Sequence, residues 1–151
     1  MSERYDLLDR MTQDPDSSVR REVALTLAHM APVRRAGLLV LERLEGDAEM
    51  PVRAAAHASR LFQGIPVPLP PGLDPDIAAE AVRDAGSLSA LREIARSAPG
   101  EERRLAAALA LALVQDEVAH EVARTDPAPA IRHRVGGALE LSMQRSAAEA
   151  R

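Results

Sequence analysis

Cysteine, tryptophan, lysine and asparagine are all missing from the 151 residues, and the aromatic side chains are reduced to Tyr5 and Phe62. Without cysteine there is no disulfide, no thiolate nucleophile and no zinc–sulfur site. With two aromatic residues the core must be aliphatic, assembled from leucine, valine and 29 alanines. Side chains this small let helices approach closely, and they suit a sheet poorly, because strands favour β-branched and aromatic residues. No apolar run reaches membrane-spanning length, and the opening Met1-Ser2-Glu3-Arg4-Tyr5-Asp6 begins no apolar stretch of the signal-peptide kind. A cytoplasmic protein without a membrane partner is therefore expected. The net charge of −4 runs against a dedicated nucleic-acid or anionic-membrane binder. All 19 basic residues are arginine, the spelling expected of a GC-rich bacterial gene.

What the chain has instead is a phrase that returns: Asp14-Pro15-Asp16-Ser17-Ser18-Val19-Arg20, then Asp47-Ala48-Glu49-Met50-Pro51-Val52-Arg53, then Asp126-Pro127-Ala128-Pro129-Ala130-Ile131-Arg132. Each copy sets an Asp six residues before an Arg and leads into an alanine-rich stretch with helical periodicity. A worn copy follows Glu101, where aligning Arg103-Arg104 with Arg20-Arg21 puts Ser97 in the place of the Asp. The phrase arginines at 20, 53, 103 and 132 are then 33, 50 and 29 residues apart, so short units are interrupted once near the middle. A recurring phrase of this length marks stacked helical units, each burying its apolar face against its neighbours.

The apolar spacing predicts about nine helices in a single domain over 1–151, with a proline-rich loop over 64–75 where Pro66, Pro68, Pro70 and Pro71 forbid a helix. Predicted inner stripes include Val19, Val23, Leu27 and Met30; Val33, Gly37, Val40, Leu41 and Leu44; Val52, Ala55, Ala56, Ser59 and Phe62; and Ile131, Val135, Leu139 and Met143, while the helix through Leu105, Leu109 and Leu113, nearly all alanine and leucine, is expected to be buried on most sides. Asp74-Pro75 reads as a helix cap followed by a first-turn proline. The repeated pairs Asp14/Arg20, Asp47/Arg53 and Asp126/Arg132, with Arg103 in the worn copy, read as a structural ladder: carboxylates near helix starts and guanidiniums one turn inside the next helix, reaching an Asp of their own or the adjacent layer. An active site needs one constellation, not several copies of it.

The phrase Asp-Pro-x-x-x-Val-Arg followed by alanines and leucines, as in Asp14 to Leu27 and Met50 to Leu61, resembles HEAT repeats, in particular the short bacterial kind related to phycobilisome-lyase repeats. The resemblance covers residues 5–63 and 97–145, and the stretch 64–86 departs from it. It implies a right-handed α-solenoid of about four helical pairs, with the second helix of each pair lining a concave face that binds protein.

On those second helices the polar stripes are Arg34, Arg35, Leu38 and Glu42 with Glu45; Arg92 and Arg96 with Glu93; and Glu117, His120, Glu121 and Arg124. Mixed charge suits a protein partner better than a phosphate backbone, which selects one sign. Leu38 is expected among charges, away from the inner stripe. Ile65, Val67 and Leu69 in the proline loop form a second candidate contact, toward a partner or a second copy of the chain. The histidines His29, His57, His120 and His133 show no metal-ligand spacing, and no HExxH or glycine-rich phosphate loop occurs, so no cofactor is expected. The expected function is a non-enzymatic adaptor, chaperone or accessory subunit. The alternatives are a HEAT-like alkylpurine DNA glycosylase, disfavoured by the acidic balance and missing tryptophan, and a bilin-lyase-type protein suggested by the repeats' name-giving members.

Overall fold

The computed structural model of the protein describes residues 3–30, 35–63 and 70–150. Among the described residues there are nine helices and no strand. They are α1 (Glu3–Met11), α2 (Ser17–Ala28), α3 (Arg35–Glu45), α4 (Met50–Phe62), α5 (Pro75–Ala85), α6 (Leu88–Ser97), α7 (Glu101–Leu113), α8 (Glu117–Thr125) and α9 (Pro129–Glu149). None is long and apolar enough to cross a membrane. The chain divides into two compact units, Met1–Gly86 and Ser87–Arg151.

Helix starts follow the local chemistry. The carboxylates of Asp16, Asp74 and Asp116 cap α2, α5 and α8 by accepting the N–H two residues on, and Ser87 caps α6 by accepting from Ala90. Proline occupies the first turn of α4, α5 and α9, where its missing N–H has no helical acceptor to lose.

In the first unit α2 packs along α4, and α4 also meets α3 and α5. Being enclosed by three neighbours explains why α4 is buried nearly all round. Val52, Ala54, Ala55, Ala56 and Ala58 are fully buried, and His57 and Ser59 are buried with them. Alanine is what permits three helices to approach one axis, since a larger side chain at each of these positions would need space that close-packed interiors lack.

In the second unit α6 packs on α7, α8 on α9 and α7 on α9. On α7 the buried residues are Arg104, Ala107, Ala108, Ala110, Leu111 and Ala112, and Leu105, Leu109 and Leu113 are half-buried, so the helix is covered on most sides. Alanines and Leu111 thus face the neighbouring helices, and Leu105, Leu109 and Leu113 flank them. On α9 the line Ile131, Val135 and Leu139 is buried as the spacing predicts, but it continues to Ser142, and Met143 is 51% exposed. Ser142 is held there by polar bonds: its hydroxyl donates to the Leu113 carbonyl at 3.3 Å, and its own carbonyl accepts from Gln115 Nε2 at 3.2 Å.

The repeated phrase has one geometry. The guanidinium Nη1 of Arg20, Arg53, Arg104 and Arg132 donates to the carbonyl six residues earlier, on Asp14 (2.8 Å), Asp47 (2.8 Å), Ala98 (3.0 Å) and Asp126 (2.5 Å). The carboxylates of Asp14, Asp47 and Asp126 each accept the N–H two residues on. The remaining guanidinium edge then reaches the next copy: Arg20 Nε and Nη2 donate to Asp47 at 2.8 and 3.2 Å, and Arg104 Nε and Nη2 to Asp126 at 3.0 and 3.3 Å. The rung in the worn copy is therefore Arg104, one residue beyond the expected Arg103. In the register Ala98-Pro99 replaces Asp14-Pro15, so the carboxylate is lost while the proline and the accepting carbonyl stay.

Candidate functional site

On α6 the inner residues are Leu91 and Ala95, which places Arg92 and Arg96, one turn apart, together on an adjacent face. On α8 the inner residues are Val118, Ala119 and Val122, which leaves Glu117, His120, Glu121 and Arg124 on the outward side. The two helices pack against each other in the second unit. Their polar faces form one open groove of about 610 Å³, lined by Arg92, Arg96, Glu117, His120, Glu121 and Arg124 together with Asp116 and Val118.

Two ion pairs tie the groove's walls. Arg92 Nη2 donates to Asp116 Oδ1 at 2.6 Å while its Nε reaches both carboxylate oxygens at 3.1–3.2 Å. Asp116 Oδ2 also accepts the Val118 N–H at 3.1 Å, so a single carboxylate caps α8 and anchors α6. Arg96 Nε donates to Glu121 Oε2 at 2.8 Å in a more exposed pair. The hydrogen bond from Arg92 holds the Asp116 carboxyl below its usual range despite burial, helped by the Val118 N–H and the Arg96 charge. Likewise the hydrogen bond from Arg96 lowers the Glu121 carboxyl. Carboxylates held in their ionised form by guanidiniums are weak proton acceptors. Glu117, His120 and Arg124 make no hydrogen bond or ion pair among the described residues, and Glu117 and Arg124 act only at longer range, on the charges of Arg92 and Glu121.

Six of the residues that the polar stripes single out are thus brought together, all on α6 and α8. Arg35, Leu38 and Glu42 lie on α3 of the first unit, with Arg35 and Glu42 exposed. Leu38 is half-buried, and the apolar residue that stands out into solvent is its neighbour Leu39, 53% exposed. Val33, Arg34, Ile65, Val67 and Leu69 lie outside the described residues. The ladder residues Asp14, Arg20, Asp47 and Arg53 are in the first unit and Asp126 and Arg132 in the second.

Sequence reasoning missed Asp116, because its spacing of 24 residues from Arg92 carries no local signal. It also missed Arg104, although Pro99 standing where Pro15 and Pro127 stand gives the register. His57 becomes the buried histidine because α4 is enclosed, a tertiary property. No protein family, no curated protein and no solved structure gives a significant match to this chain.

Proposed function

We propose that the chain is a non-enzymatic protein-interaction module, a right-handed solenoid of HEAT-like helical pairs, whose partner docks in the α6/α8 groove. The observation that carries this reading is the convergence of Arg92, Arg96, Glu117, His120, Glu121 and Arg124 on one open groove. Its three arginines are balanced by Asp116, Glu117 and Glu121. A polyanion gains little from a balanced surface, whereas a protein partner of mixed charge can match it pair by pair. The lowered Asp116 and Glu121 carboxyls also argue for recognition over acid–base chemistry, because a carboxylate that serves as a general base needs its pKa raised.

The test exchanges the two unpaired charges. Glu117→Arg with Arg124→Glu keeps the net charge and removes no hydrogen-bonding atom of either ion pair or of the α8 cap, while reversing the longer-range charges that Glu117 places on Arg92 and Arg124 on Glu121. The immobilised wild-type chain should retain a stoichiometric protein from cells that make it, and the exchanged variant, with an unaltered circular dichroism spectrum, should lose it. Equal retention by both, or no stoichiometric protein on either, overturns the proposal.

A further inference from the structure

Arg20, Arg53, Arg104 and Arg132 share one pose, pinned by Nη1 to the carbonyl six residues back. In Arg20 and Arg104 the Nε/Nη2 edge is filled by a carboxylate of the next copy. In Arg53 that edge has no acceptor among the described residues, although Nη1 is held twice, by the Asp47 carbonyl at 2.8 Å and the Ala48 carbonyl at 3.0 Å. The chain itself therefore shows what the vacant edge binds, and it shows it in two places.

Arg53 borders a cleft of about 150 Å³ inside the first unit, together with His57 and Arg60 of α4, Glu45 at the end of α3, and Pro71 and Leu73 ahead of α5. The volume matches that of a cavity able to enclose a benzene-sized molecule. Pro71 and Gly72 form the corner of a tight turn closed by the Leu73 N–H on the Pro70 carbonyl at 3.2 Å, with Gly72 at φ +81°, and this turn supplies the apolar wall. Arg60 is already paired with Glu45, so those two charges cancel. Burial pushes the His57 imidazole below its ordinary range, which makes it neutral at pH 7. The net charge facing the cleft is then that of Arg53 alone, a match for a monoanion. His57 is 5% exposed and neither ring nitrogen has a hydrogen-bond partner among the described residues; its Nδ1 is fully buried and unpaired. A molecule filling the cleft would lie against this ring.

We propose that this cleft binds a small organic carboxylate, its two oxygens on the Nε/Nη2 edge of Arg53 and its apolar body against Pro71 and Leu73. The guanidinium is held in place beforehand by its Nη1 bonds, so ligand binding forfeits little side-chain freedom. The fork itself takes carboxylate and phosphate alike, so the preference for a carboxylate rests on the cleft's single net positive charge and on the apolar wall of Pro71 and Leu73, which suit a monoanion with an apolar body better than a largely dianionic phosphate.

Titration of the full chain with sodium benzoate, read by calorimetry and by the nuclear magnetic resonance signals of the Arg53 Nε–H and the His57 ring, tests this directly. A saturable one-to-one isotherm should move both signals, and inorganic phosphate should move neither. Arg53→Gln should weaken benzoate binding by about ten-fold or more, the loss expected for a charged hydrogen-bonding group. Arg132→Gln, which removes the same kind of Nη1 bond elsewhere, should leave binding unchanged. Absence of binding at millimolar benzoate, phosphate binding in its place, or undiminished binding by Arg53→Gln overturns the proposal. Should Arg53→Gln fail to fold, the wild-type signals decide: movement of both supports the site and stillness of either overturns it.

Discussion

Asp126 is the more deeply buried of the two carboxylates that carry a full rung of the ladder, its side chain 3% exposed against 10% for Asp47. Its carboxylate receives Arg104 and the Ala128 N–H, and its carbonyl receives Arg132. Burial alone would raise this carboxyl, but the Arg104 hydrogen bonds, the Ala128 N–H and the two guanidinium charges outweigh it and hold it below the usual range. A carboxyl lowered by folding contributes stability that is fully present above the unfolded value, about pH 3.9, and is lost as the pH falls through the lower folded value. Asp126→Asn leaves the Arg104 guanidinium, 11% exposed, without its counter-charge and should cost about 3 kcal/mol at pH 7. In urea titrations at a series of pH values, the wild-type and variant curves should converge as the pH drops below about 4. A gap that stays constant into acid would show that the pair's ionic character contributes nothing. The exposed pair Arg96–Glu121 is the contrast at this scale, and Glu121→Gln should leave the urea midpoint where it is.

At the scale of elements, helix breaks were legible in the residues and close approaches were not. Gly86 ends α5 just before Ser87, which caps α6, and the structure gives it a second duty. A Cβ added there would lie 2.5 Å from Cε1 of Phe62, at the end of α4, and closer still to Cζ. Gly86→Ala should therefore force the Phe62 ring from its place between α4 and α5 and destabilise the first unit by about 1–3 kcal/mol, as overpacking does. Phe62→Leu in the same background should restore part of the loss, a non-additive cycle readable from urea midpoints. The inner stripes divide in the same way. Val23, Leu27, Val40, Leu41 and Leu44 were legible because large apolar residues at helical spacing define one face. The stripe of α7 was not, since an alternation of alanine and leucine fits several rotations of the helix. What fixes the rotation is Arg104 reaching Asp126, a partner 22 residues away. The groove was half legible: the polar faces of α6 and α8 follow from periodicity, whereas their meeting depends on Asp116 serving both helices.

For the whole chain, the ladder runs within each compact unit. Arg20 to Asp47, continued by Arg53, lies in Met1–Gly86, and Arg104 to Asp126, continued by Arg132, lies in Ser87–Arg151. The same holds for the apolar contacts of α4 with α2, α3 and α5 and of α7 with α6, α8 and α9. If each unit carries its own core and its own rungs, then a chain divided after Gly86 should yield two helical fragments. Domains this small bury a modest share of their surface, so both fragments should melt below the intact chain, and Ser87–Arg151 should still unfold cooperatively in a circular dichroism scan. Asp126→Asn should lower the midpoint of that fragment and Arg20→Gln should lower that of Met1–Gly86, each acting on the unit that holds its rung. A second fragment without helical signal, or a cooperative melt that Asp126→Asn leaves untouched, would mean that the repeated acid and base do not hold the helices of a unit in register.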